Sequence, residues 1–378
     1  MKNWTLYRIL LHLLPAGGLI SSSTFPADET WQLQRILRRH RCLGASLCAF
    51  DPGGVTASLT FGQACAGVPV TESTVFRAAS ISKFITGLGI LRLRETGRIP
   101  SLDEDVNGFL PFPLRHPGAP KTPLTLRLLM THTAGIHDGN TYNSGIADGL
   151  PLSAILAGDS FTSHLPGTLW EYSNLGAGIA GSVLEGMTGR DFETLMQETV
   201  FAPLGVTATF YPQKLPPDRV LADARRILPP HRGPNFDAGR RRSRPLPSPG
   251  PDPLRHYNLA HGNLCVSAPD LARLGIAAMA PGFLSADSLA DMRRKAVAFG
   301  ERARNLSQGL FTFILREPKI SSRPLYGHQG MAYGAVHGLF FDPVSQRGMA
   351  VLTTGASEAR RGVLADLNSD LLSLLLGE

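Results

Sequence analysis

The chain reads as a mixed α/β fold of the α+β type, with an antiparallel sheet flanked by helices and formed by both chain termini. A mostly helical segment is inserted between them. Three observations predict this. Residues 44–50 and 55–61 alternate as two strands around the turn residues Asp51-Pro52-Gly53-Gly54. Residues 310–315, 324–328, 335–341 and 348–353 carry the strand signal again, late in the chain. Between these runs the apolar spacing turns helical, so the strands at the two ends must share one sheet. The expected division is a sheet domain over 24–105 and 290–378, and a helical domain over 106–289. With 378 residues, 43% of them hydrophobic and 18% charged, the chain can bury a large core.

In chain order, Lys2 and Arg8 precede an apolar run at 9–20 and then Ser21, Ser22 and Ser23. That is the order of a secretory leader, expected over 1–23, and it implies export to the periplasm or the extracellular space. The run is too short for a membrane span, as is the Leu-rich C-terminus, so no integral span is expected. A first helix follows at 31–41. In the hairpin after it, Cys42 and Cys65 would lie near each other. They form either a disulfide in an exported protein or, with Cys48 and Cys265, reduced buried thiols.

Residues 80–96 read as an amphipathic helix stopped by Gly97, and 124–131, 152–156, 177–187 and 192–201 as shorter ones. Residues 229–255 are rich in Pro and Arg and read as a loop, with Arg240, Arg241, Arg242 and Arg244 solvated. Net charge is +7, yet no basic face with interleaved aromatics exists, so nucleic acid is not an expected partner. A helix at 268–279 and a C-terminal helix at 358–376 covering the late strands complete the chain.

The chemistry starts at Ser80-Ile81-Ser82-Lys83. A helix places residues three apart on one face, so the Lys83 amine lies beside the Ser80 hydroxyl and can take its proton. Trp170-Glu171-Tyr172-Ser173-Asn174 offers a phenol and an amide. Read alone, it is a buried aromatic next to an Asn helix cap. Tyr326-Gly327-His328-Gln329-Gly330-Met331 puts a histidine and glycines on a strand, where glycine marks close backbone approach. His132, in Leu128-Leu129-Met130-Thr131-His132-Thr133-Ala134-Gly135, reads as a hydrogen-bonded structural post. Gly176-Ala177-Gly178-Ile179-Ala180-Gly181 matches the dinucleotide fingerprint but follows no strand, so it reads as small residues allowing close helix packing. No Walker A loop, H-E-x-x-H or G-x-S-x-G elbow is present.

Ser80-Ile81-Ser82-Lys83, Tyr172-Ser173-Asn174 and His328-Gln329-Gly330, in this order and spacing, resemble serine hydrolases related to class C β-lactamases and DD-peptidases. The resemblance runs from about residue 31 to the C-terminal helix and implies a β-lactamase/transpeptidase-like fold. It implies Ser80 as the acylating nucleophile, with Lys83 and Tyr172 sharing the proton relay and either one as the base. Asn174, His328, Gly330 and Met331 would bind substrate, the backbone N–H groups of Ser80 and Met331 forming the oxyanion hole. Neither metal nor cofactor is implied. Where class C β-lactamases carry Lys-Thr-Gly, this chain has His328-Gln329-Gly330, a version typical of DD-carboxypeptidases, D-aminopeptidases and esterases. The implied activity is a D-Ala-D-Ala carboxypeptidase or related peptidase. A carboxylesterase or weak β-lactamase of the same fold, and a non-catalytic penicillin-binding sensor, are the alternatives. The implied partner is a small-molecule or peptide substrate, such as a cell-wall peptide or an ester, with a monomer favoured.

Overall fold

The computed structural model describes residues 19–226, 235–298, 305–360 and 362–377. Nine strands follow one another across an antiparallel sheet: Ile20–Ser23, Gly54–Cys65, Gly44–Asp51, Arg347–Gly355, Ala335–Asp342, Leu325–Ala332, Phe313–Leu315, Leu306–Gln308 and Val297–Ala298. A tenth, Val68–Pro69, pairs with Gly54–Cys65 beside this path. The termini meet where Gly44–Asp51 pairs with Arg347–Gly355, Leu47 opposite Val351. The fold class is the one predicted.

Alternation along each strand divides the core into two layers. Leu47, Phe340 and Val351 face one side, against Leu33 and Leu37 of helix Ala27–Arg39 and Leu371 and Leu372 of helix Asp366–Leu375. Cys48, Leu339, Phe341 and Leu352 face the other, against Ile81, Phe84 and Leu88 of helix Ile81–Glu95 and Leu271 and Leu274 of helix Ala268–Met279. Both faces of the sheet are covered, which is why its inner strands read as near-continuous apolar runs.

Several elements differ from their expected form. Helix Ile81–Glu95 is buried around nearly its whole circumference rather than amphipathic, because it lies between the sheet and the helical segment. Its glycines permit this. A Cβ at Gly89 would sit 2.7 Å from the Met196 sulfur. Helix Ala268–Met279, expected in the helical domain, packs on the sheet, where a Cβ at Gly275 would lie 2.6 Å from the Phe50 ring. The C-terminal helix starts at Asp366, eight residues later than read, since the chain before it turns to meet the sheet hairpin: Glu358 accepts from the Gly334 N–H at 3.1 Å.

The Pro/Arg-rich stretch is not a plain solvated loop over its described part. It holds helix Ala238–Arg242, buries Phe236, and spends Arg242 on the carbonyls of Leu215, Pro216 and Arg219. All four cysteines are free, Cys42 in the core under helix Ala27–Arg39 and Cys65 half-buried at the end of its strand. Of the expected leader, residues 1–18 lie outside the described residues. Ile20–Ser23 pairs as an edge strand with Leu59, Thr60 and Phe61. Among the described residues, no helix is long and apolar enough to cross a membrane. A small sheet absent from the sequence reading joins Val75–Arg77, Cys265–Ser267 and Ala208–Thr209. Its strands are two or three residues long, too short to show alternation. It sets the chain just ahead of Ser80.

Gln329 shows how the sheet is tied to its cover. Its side chain reaches the C-terminal segment, donating to the Val363 carbonyl at 2.5 Å and accepting from the Ala365 N–H at 3.0 Å and the Asn368 amide at 3.4 Å. Replacing it leaves those buried groups unpaired. Gln329→Ala should therefore lower stability by about 1–3 kcal/mol, read as a lower thermal midpoint, while acylation of Ser80 at 25 °C is retained.

Candidate active site

Ser80 sits at the start of helix Ile81–Glu95, directly after Ala79, whose φ of 49° is left-handed. A non-glycine residue there is strained and must be held by its surroundings. Two strands hold it. Ala78 donates its N–H to the Leu264 carbonyl at 2.7 Å. Strand Leu325–Ala332 presses on the same turn, where a Cβ at Gly330 would fall 2.2 Å from the Ala78 carbonyl oxygen. Only glycine lets the two backbones approach this closely.

One face of the helix carries polar groups that bond across a single neighbouring segment. Thr86 donates to the Ala260 carbonyl at 3.1 Å and Lys83 to the His261 carbonyl at 2.8 Å, while the Ser82 hydroxyl accepts from the Leu264 N–H at 3.1 Å. Lys83 is fully buried. Its Nζ also reaches the Asn174 Oδ1 at 2.6 Å and the Ser80 Oγ at 3.2 Å, and lies 4.9 Å from the centre of the Tyr172 ring. Burial brings the amine down to about 7, with the Asp138 charge opposing and the Arg77 charge assisting.

Tyr172 is the mirror case. Burial and the Asp138 carboxylate push its phenol well above its ordinary value, a hydrogen bond with Ser80 notwithstanding. His132 underlies it, with ring centres 4.6 Å apart, and accepts the Ser173 N–H at its Nδ1 at 3.2 Å. Burial keeps the His132 imidazole neutral, and it serves as the post its flanking threonines suggested. The helix cap is Ser173 rather than Asn174, its hydroxyl accepting from the Gly176 N–H at 2.8 Å. Asn174 is thereby free to bridge Lys83 and Asp138, its Nδ2 donating to the Asp138 Oδ2 at 2.6 Å. The glycines behind it have the packing role read from the sequence, since a Cβ at Gly178 would lie 2.3 Å from the Tyr257 carbonyl oxygen.

His328 stacks on Phe313 with ring centres 4.0 Å apart. Burial and the Lys83 charge push it down to about 3, so the ring is neutral. Its Nδ1 lies 2.6 Å from the Gln329 carbonyl, which only accepts, so the proton is on Nδ1. The Nε2 lone pair is buried without a partner among the described residues. Within strand Leu325–Ala332, Phe313–Leu315 pairs with Leu325–Gly327, so 328–332 runs on past it toward Ser80. Met331 lies on this stretch.

These side chains wall a cavity of about 470 Å³. Ser80, Tyr172, Asn174, His328 and Met331 all reach it, with Lys83 directly behind Ser80. Of the residues expected at the site, Gly330 alone contributes by absence of a side chain. Arg77, Arg360, Trp170 and Phe313 also line the cavity, whose wall has no Asp or Glu among the described residues. Sequence reading missed Asp138, His261 and both arginines. Asp138 and His261 lie on loops with no periodic signal, and His261 meets Lys83 through its backbone carbonyl. Arg77 alone had a cue, its place three residues before the serine. Among the described residues, no three His, Cys, Asp or Glu side chains are grouped to hold a metal.

The Beta-lactamase family model matches residues 30–372. Over 93% of its length the chain is 28% identical to Esterase EstB of Burkholderia gladioli, covering 95% of that protein. It is 27% identical to Penicillin-binding protein 4 of Amycolatopsis lactamdurans, over 93% of this chain and 91% of the relative. Among solved structures, the octameric penicillin-binding protein homologue from Pyrococcus abyssi superposes with a TM-score of 0.73 at 23% identity, over 93% of this chain and 77% of that one. The D-amino acid amidase from Ochrobactrum anthropi SV3 does so with a TM-score of 0.71 at 22% identity, over 93% and 98%. The fold is shared with both structures, and with the family model spanning nearly its whole length, the chain belongs to the beta-lactamase family of serine hydrolases.

Proposed function

We propose that this serine hydrolase is a peptidase of D-Ala-D-Ala carboxypeptidase type, cleaving an acyl bond next to a free carboxylate through an acyl-enzyme on Ser80. The observation that supports it is electrostatic. A guanidinium group, that of Arg77, stands on a cavity wall that has no carboxylate among the described residues. Arg77 is half-buried. Its Nε donates to the Asn263 Oδ1 at 3.2 Å and its cation faces the Tyr333 ring at 5.2 Å, and among the described residues it has no acidic partner. A substrate carboxylate would complete such a site. His328, being neutral, would instead accept a substrate N–H or O–H at Nε2.

Proton inventory orders the steps. Two carbonyl oxygens, of Asn174 and His261, engage two N–H bonds of a neutral Lys83 amine, and its lone pair is left for the Ser80 proton. As Oγ bonds to the substrate carbonyl carbon, that proton passes to Nζ. The backbone N–H groups of Ser80 and Met331 hold the oxyanion, each such donor worth about 3 kcal/mol. Tyr172, still protonated, delivers a proton to the leaving amine and is reprotonated from Lys83. Water then cleaves the ester on Ser80, restoring the hydroxyl.

A carboxylesterase is the second reading, favoured by the apolar part of the wall, Trp170, Phe313, Met331 and Val363, and by the full-length likeness to Esterase EstB. Export is proposed with either activity. Processing ahead of Ile20 would spare the edge strand.

Three outcomes are expected. A fluorescent penicillin or an N-acyl-D-Ala-D-Ala peptide should label Ser80, seen by intact mass, and Ser80→Ala should abolish the adduct and cut turnover roughly 10⁴-fold or more. An adduct surviving that change excludes the mechanism. The pH profile of kcat/KM should rise through about 7 as Lys83 loses its proton, because only the neutral amine is a base. Lys83→Arg, which cannot deprotonate, should be inactive at every pH. Finally, converting the C-terminal carboxylate of the peptide to an amide should lower kcat/KM by about tenfold or more. Equal rates on peptide and amide, with faster turnover of p-nitrophenyl butyrate, would instead assign the esterase.

A further inference from the structure

We propose that Asp138 is a positioning residue for acyl transfer, its carboxylate setting the orientation of the Asn174 amide and through it the direction of the Lys83 lone pair. The inference rests on the acyl-enzyme reading above but on neither choice of substrate. Asp138 lies in the loop before helix Asn140–Asp148 and does not touch the cavity. Its Oδ1 accepts from the Leu175 N–H at 2.9 Å and the Ser173 hydroxyl at 3.2 Å, and its Oδ2 accepts from the Asn174 Nδ2 at 2.6 Å. Both oxygens are therefore engaged by donors.

An amide could turn either face to Lys83, and a carboxylate removes the choice. Because it only accepts, the Asn174 nitrogen must face Asp138 and the oxygen must face Lys83. With the Asn174 oxygen and the His261 carbonyl taking the amine's two N–H bonds at 2.6 and 2.8 Å, the lone pair is left on the Ser80 side. The reverse orientation would aim an N–H at Lys83 and draw the lone pair away from Ser80.

The Leu175 N–H makes the test sharp. In Asp138→Asn this fixed donor keeps the new amide oxygen at the Oδ1 place, so the new NH₂ faces Asn174. Asn174 must then flip. The variant also removes a negative charge. The other charged or titratable groups about Lys83 are the Arg77 cation, the protonated Tyr172, and the imidazoles of His132, His261 and His328, kept neutral by burial. Asp138 favours the protonated amine and Arg77 opposes it. Its loss therefore shifts the acid limb of the pH profile to lower pH.

The experiment is the rate of Ser80 acylation against pH, read with a fluorescent penicillin and with p-nitrophenyl butyrate, alongside near-UV circular dichroism. Asp138→Asn is expected to fold, to acylate about 10- to 100-fold more slowly on the plateau, and to move its acid limb down. The double variant D138N/N174D exchanges amide and carboxylate and returns an oxygen to Lys83. It should recover at least about tenfold over D138N, with its limb moved above wild type by the nearer charge. Should D138N not fold, the double variant, with its buried groups paired again, carries the test. A plateau within twofold of wild type, a loss without movement of the limb, or no recovery in the double variant overturns the proposal. A wild-type protein that never acylates overturns the mechanism beneath it instead.

Discussion

Lys83 is buried with no carboxylate in contact among the described residues, and the site is arranged around that fact. Desolvation disfavours an ammonium in such a place far more than it disfavours an amine. The protein answers with carbonyl-type acceptors, from Asn174 and His261, rather than with a counter-ion. A contacting carboxylate would have secured the fold more simply and would have kept the lysine charged. Asp138 instead stands one residue back, behind Asn174, where it orders the hydrogen bonds without closing a salt bridge. The interior tolerates the lysine because its N–H bonds are matched, and in the proposed mechanism the same matching would leave it basic toward Ser80.

This arrangement demands backbone precision, which the sheet provides. Ala79 holds a left-handed conformation because two strands clamp the turn it belongs to. Cysteine-containing strand Cys265–Ser267 pairs with Val75–Arg77, and Leu325–Ala332 presses from the other side through Gly330. The helix carrying Ser80 and Lys83, the segment carrying Tyr172 and Asn174, and the third element thus sit on separate pieces of chain joined by packing. Gln329 extends the tie to the C-terminal helix, so the cover of the sheet and the wall of the cavity are braced together.

How much of this was legible in the sequence follows the range of the interactions. Ser80 and Lys83 are three residues apart on a helix, and local spacing was enough to pair them. The strand runs at 44–61 and 335–353 were legible because burial on alternate faces leaves long apolar stretches. The helix at 81–95 was assigned correctly but its surroundings were not, since a helix buried all round has no polar stripe to read. Asn174 looked like a cap because asparagine often is one. Which of two adjacent residues caps depends on backbone angles, and Ser173 takes the extended ones. Asp138, His261 and the small sheet depend on contacts between distant loops, where no period exists to detect them.

The charges of the cavity constrain its substrate as well as its base. A carboxylate bound beside Lys83 would favour the ammonium and raise the pH at which the neutral amine is available. Two unit charges interact by about 4 kcal/mol at 4 Å in an effective dielectric of 20, and by half that at twice the distance. A substrate carboxylate must therefore seat on a guanidinium, which cannot lose its proton, and stay several ångströms from the amine. Arg77 suits this because its cation already holds Lys83 down, and a carboxylate paired to it would cancel part of that effect. In the proposed reading, Arg77 would thereby couple substrate charge to the reactivity of Ser80. The neutral His328 between catalytic groups and strand keeps a third cation out of a cavity where it would compete for the same carboxylate.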